Sequence, residues 1–146
     1  MERAKFRYLP HTADIAFVAY GRSFKELLEN SARAMLGLMF DTRKIGRSGS
    51  RTMTIRVTES ASSMDDALWF VLQRIVSKVD EKGVDAFGFK VNSIAKSRQG
   101  IKVRGCVFYK RMREYSALLD VKGVTPHELR VSKTSGGYTA KVLVDV

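Results

Sequence analysis

The sequence predicts an α+β domain of mainly antiparallel β-sheet with two α-helices packed against it, and three observations carry that expectation. Two segments place apolar residues at helical spacing behind serine caps. About eight short runs have strand length and strand patterning, and glycine-rich turns join several of them as hairpins would. No repeat, low-complexity tract or Pro/Ser-rich linker interrupts residues 1–146, so one domain is expected throughout.

The first strand spans about Lys5 to Leu9 and the second about Ile15 to Tyr20. His11 to Asp14 turn between them, and Pro10 biases Leu9 toward extended geometry. Ser23-Phe24-Lys25-Glu26 is a capping box, in which serine and glutamate satisfy free N–H groups at a helix start. Phe24, Leu27, Leu28, Ser31, Met35 and Leu38 follow as one mostly apolar stripe. Gly37 is a natural stop, giving a core helix of about fourteen residues.

Arg43 to Ser50, with Gly46 and Gly49, reads as a polar loop. Met53, Ile55 and Val57 alternate with Thr54, Arg56 and Thr58, as in a half-buried strand. Ser62 or Ser63, followed by Asp65 and Asp66, starts the second helix and complements its dipole. Leu68, Leu72, Ile75 and Val79 form its apolar stripe, and Gly83 ends it.

Beyond Ala86 the period becomes two. Phe87, Phe89 and Val91 share one strand face, and Ile101, Val103 and Val107 share one face of the next, with Lys102 and Arg104 opposite. The Ser97–Gly100 turn joins this pair as a hairpin. Three more extended runs follow, at Ala117–Lys122, Glu128–Lys133 and Tyr138–Val144, the last two linked by Ser135-Gly136-Gly137.

Composition narrows the function. A chain of 146 residues can bury a core without staples, and its single cysteine, Cys106, excludes an intrachain disulfide or a Cys-rich zinc site. Cys106 reads as a small core or sheet residue. No apolar run reaches the ~18–20 residues that span a bilayer. The first residues hold no apolar signal core, so a cytoplasmic location is expected. Net charge is +11, from 26 Lys and Arg against 15 acids. No acid lies between Asp85 and Glu114, where Lys102 and Arg104 are found, or between Asp41 and Glu59. Such stretches attract polyanions, or else solvate exposed strand faces.

Catalytic patterns are missing. There is no G-x-S-x-G elbow, no P-loop or G-x-G-x-x-G, and no H-x-x-x-H or C-x-x-C. The strand aromatics fit core packing at least as well as RNA stacking. What remains is a pair of acids. Asp14 precedes the apolar run Ile15–Tyr20, and Asp145 ends the run Tyr138–Val144 beside the carboxylate of Val146. If those strands are neighbours, three oxygen anions converge and suit a hard cation such as calcium or magnesium.

These residues lie in segments that resemble the archease family. His11-Thr12-Ala13-Asp14-Ile15 resembles its H-T-A-D-[IV] motif, and Tyr20 to Ala32 resembles its Y-G-x-[ST]-x-x-E-L segment. Val121-Lys122-Gly123-Val124-Thr125-Pro126-His127 and the ending Thr139 to Val146 are similar to two further family motifs, so the likeness covers the chain end to end. The resemblance implies a non-catalytic cofactor, not an enzyme. It would activate the GTP- and manganese-dependent ligase of tRNA splicing and RNA repair, promoting guanylylation and repeated turnover.

The resemblance also implies a calcium site at Asp14, Asp145 and the Val146 carboxylate, with another divalent cation as an alternative and no organic cofactor. It places Lys122 and His11 at the partner contact. Some archaeal members are described as chaperone-like partners of a tRNA methyltransferase, which makes a basic tRNA-binding chaperone the alternative reading, with Lys102 and Arg104 as anion or RNA contacts. No membrane partner is implied. Two departures stand out. Pro10 occupies a position where many relatives carry an acid, and this chain is basic where many relatives are acidic.

Overall fold

The computed structural model describes residues 4–9 and 14–146. Its elements run β1 (Phe6–Leu9), β2 (Ile15–Gly21), α1 (Phe24–Met39), α2 (Thr42–Arg47), β3 (Met53–Ala61), α3 (Met64–Lys82), β4 (Asp85–Ser97), β5 (Gly100–Lys110), β6 (Gly123–Thr134) and β7 (Gly137–Asp145). The strands form two antiparallel sheets, ordered β1-β2-β7-β6 and β3-β5-β4. Helix α1 packs on β2 and β7 of the first sheet and on β4 of the second, while α3 packs on β6 and on β3 and β5. The two long helices therefore act as a shared layer between the sheets.

That position explains why α1 buries more than one stripe. Ala32, Ala34 and Leu36 are buried together with Leu27, Leu28 and Met35, so apolar contact continues around most of the helix. Asn30, buried on the same helix, donates its amide to the Tyr20 carbonyl at 2.6 Å. The Ser23 hydroxyl caps the start by accepting from the Glu26 N–H at 3.1 Å. The helix does not stop at Gly37 but continues to Met39. Gly37 instead makes room for the Tyr8 hydroxyl, which would lie 3.1 Å from an added Cβ and which donates to the Ala34 carbonyl.

Two further sequence expectations need correction. The stretch read as a polar loop contains α2, capped by Asp41 accepting from the Lys44 N–H at 3.1 Å and anchored by fully buried Ile45. One apolar residue in six sets up no readable period. The run Ala117–Lys122 is not a strand: Ala117 forms an isolated bridge with Phe40, and only Lys122 at its end bonds a sheet, through the Asp145 carbonyl of β7. Its N–H groups at Leu118 and Leu119 go to the carbonyls of Met39 and Leu38, satisfying the free end of α1.

Both hairpins form, with Ser97 paired to Gly100 and Thr134 to Gly137. Helix α3 begins at an Ser63 cap and ends at Gly83, whose φ of 63° is the left-handed conformation a glycine cap supplies. The same helix seals the open edge of β6. Asp65, Trp69 and Gln73, four residues apart on one helix face, bond the Val131 N–H, the Val124 carbonyl and the Val124 N–H at 2.7–2.8 Å. Glu29 of α1 similarly accepts from the Val91 N–H on the edge strand β4, at 2.9 Å. Edge groups bonded in this way no longer invite another strand.

Candidate metal centre

The register of β2 with β7 is set by burial. Phe17 pairs with Val142 and Ala19 with Ala140, all essentially shielded from solvent on the side that meets α1. A slip of one residue would turn this apolar set to the other face, so the pairing is strongly specified. It ends with Ile15 opposite Val144. Asp14 and Asp145 are each the next residue beyond that pair, so adjacent strand ends carry the two carboxylates to one corner of the sheet. Asp14 is half-buried there and Asp145 is exposed.

The neighbouring strand adds a cation. Gly123 opens β6 opposite Asp145, and the Lys122 N–H donates to the Asp145 carbonyl at 2.8 Å. Lys122, itself exposed, therefore lies beside the Asp145–Val146 end. The Gln73 and Trp69 bonds to Val124 hold this start of β6 in place from the side. Sequence-separated residues from β2, β6 and β7 thus share one corner.

The donors present suit a hard cation in kind: carboxylate oxygens, with no sulfur or imidazole nitrogen among them. Among the described residues, no group of three or more His, Cys, Asp and Glu side chains gathers at one point.

His11, the other residue expected at the partner contact, lies outside the described residues. Lys102 and Arg104 are not at the corner; both project from β5 in the second sheet. The structure also shows a feature the sequence did not reveal. Residues 126–129 bulge out of β6 between the pairs Thr125–Leu143 and Arg130–Lys141, and Glu128 adopts a φ of 65°. A positive φ is uncommon for a residue other than glycine, and no local pattern around Glu128 signals it. The Glu128 carboxylate lies 4.0 Å from the imidazole of His127, and both side chains are exposed.

No helix among the described residues is long and apolar enough to cross a membrane. Residues 6–146 match the sequence model of the Archease protein family. The protein archease of Methanosarcina mazei is 32% identical, over 97% of this chain and 96% of that one. The protein archease of Archaeoglobus fulgidus is 31% identical, over 97% and 99%. The solution structure of Methanobacterium thermoautotrophicum protein 1598 superimposes with a TM-score of 0.83 at 26% identity, covering 97% of this chain and 99% of that one. A crystal structure from Thermotoga maritima, described as an archease and possible chaperone, shares the fold at a TM-score of 0.57 and 23% identity, covering 100% and 98%.

Proposed function

This chain belongs to the archease family, and from that premise we propose that it is a non-catalytic activator of a GTP-dependent RNA ligase, acting through a carboxylate–metal cluster. The observation that carries the reading is the shared corner of β2, β7 and β6, where Asp14, Asp145 and Lys122 end neighbouring strands. None of these residues is assigned a reaction of its own.

In this reading Asp14 and Asp145 hold a calcium ion or a similar divalent cation, and Val146 contributes its α-carboxylate. Such a cation would neutralise the clustered acids and would supply Lewis-acid contact to oxygen ligands. The half-buried setting of Asp14 favours this role, because its carboxylate has less water to replace than an exposed one. Lys122 presents an ammonium from the adjacent strand, suited to a phosphate or to a carboxylate of the ligase. The corner then offers the ligase a fixed pattern of charge that helps organise its guanylylated histidine.

Multiple-turnover ligation with the cognate ligase tests this. Asp14→Ala and Asp145→Ala are expected to abolish the stimulation while retaining the unfolding transition of the parent protein. A glycine appended after Val146, which moves the α-carboxylate, is expected to weaken it. Full stimulation by both folded alanine variants would end the reading.

A further inference from the structure

The outward face of the second sheet carries four exposed cations, and its one acid, Asp85, lies at the far end opposite buried Lys110. Its inner face is marked by buried Val57, Val91, Val103 and Val107, which meet the helices. The pairing then fixes the outward rows. Arg56, Cys106 and Lys90 lie side by side across β3, β5 and β4. The next row is Thr58, Arg104 and Ser93, and the next is Ser60, Lys102 and Ala95. Arg56, Lys90, Lys102 and Arg104 are all exposed. No ion pair among the described residues involves any of them.

We propose that this face binds RNA through its sugar–phosphate backbone, without reading sequence. Strands about 4.8 Å apart and alternate residues about 6.8 Å apart set the cations on a grid with hydroxyls between them. Arg, Lys, Ser and Thr are the side chains that contact phosphate and sugar. An acidic protein would also be attracted, but the aromatic and arginine anchors that dominate protein interfaces sit in well-packed, desolvated pockets rather than on an exposed sheet face. Here the centre holds Cys106 and the cations. The only aromatic residues, Phe87 and Phe108, lie at one end of the face, half-buried against each other with ring centroids 6.4 Å apart. The face belongs to a different sheet from the acid corner, so the inference does not depend on the ligase reading.

Salt supplies one test. Four phosphate contacts to a single strand give a slope near −2.8 in log K against log salt, so binding of a fluorescent single-stranded RNA should fall roughly 50-fold between 50 and 200 mM salt. Arg56→Gln with Arg104→Gln should halve that slope, leaving a fall of roughly sevenfold. Cys106, the only cysteine, supplies a second test on the unaltered protein. Saturating RNA should slow its alkylation, because it sits at the centre of the face. Three results overturn the proposal: no RNA binding, an unchanged slope in the folded double variant, or alkylation of Cys106 that is indifferent to bound RNA. Binding of poly-L-glutamate in place of RNA also overturns it and assigns the face to an acidic protein. Asp14→Ala should leave RNA binding intact, so failure of this inference and failure of the ligase reading are separable.

Discussion

The two sheets bury their inner faces against the same pair of helices, yet what they present to solvent differs in kind. The first brings two carboxylates to one corner, at the ends of β2 and β7, with a single lysine beside them. The second spreads four exposed cations over its outward face, with one acid, Asp85, only at the far end. In both, apolar parity fixes the register, and the register decides which distant residues meet. The outward positions contribute little to packing, so their composition reports on partners. A corner of acids suits a point cation, whereas a grid of bases suits an extended polyanion.

The strongest way to break that contrast is to load the corner with metal. Calcium bound at 100 times its dissociation constant should stabilise the fold by about 2.7 kcal/mol, a rise of about 5–10 °C in the unfolding midpoint. Asp145→Asn should remove this increment, and Arg104→Gln should leave it unchanged. A calcium-induced rise that survives Asp145→Asn would move the cation elsewhere and dissolve the comparison.

A second prediction works from the opposite sheet. Gly105 sits in the middle of β5, where an added Cβ would come within 2.7 Å of the Phe89 ring and 2.6 Å of the Lys90 carbonyl. A β4 carbonyl cannot rotate aside as a side-chain tip can, so Gly105→Ala must push β4 away from β5. The cost should be about 1–3 kcal/mol in urea unfolding. Because Lys90 moves with β4, RNA affinity should fall as well, while the calcium increment at the other sheet persists. Equal loss of both functions would mean that the sheets do not act separately.

Much of this was legible in the sequence, for a definite reason. Each strand that borders the helices alternates clearly enough to show which side is buried, and Ser23, Ser63 and Gly83 mark helix ends by local chemistry alone. Asp14 and Asp145 could be singled out because each directly abuts an apolar run whose register burial would fix. Lys102 and Arg104 were visible as the polar side of one strand. Arg56 was equally visible on the polar side of its own strand, but its place beside them was not, because β3 pairs with β5 across an intervening helix and strand, and periodicity does not report pairing order. The sequence also placed Phe87 on the same face as Phe89 and Val91. A bulge between Ala86 and Gly88 leaves Phe87 unpaired, and it packs against Phe108 instead. Bulges insert one residue without altering the local alphabet, so a period of two does not survive them.

The smallest effect isolates the outer edge of the first sheet. Tyr8 on β1 donates its hydroxyl to the Ala34 carbonyl at 3.1 Å, joining that edge to α1. Burial raises its pKa above the ordinary value of 10.0, because the phenolate is poorly solvated there. The folded state therefore keeps this proton at a pH where the unfolded chain has lost it. The contribution to stability is complete below about pH 10, and it is lost as pH rises through the folded value. Tyr8→Phe should accordingly flatten the alkaline limb of the stability profile while leaving both the calcium increment and the salt slope of RNA binding unchanged. Since Tyr8 is 46% exposed, the change should be small, and a shift in the ultraviolet phenolate titration is the sharper measurement. If Tyr8→Phe instead weakened calcium binding, β1 would have to be counted as part of the acid corner, and the separation would run between the two ends of one sheet rather than between two sheets.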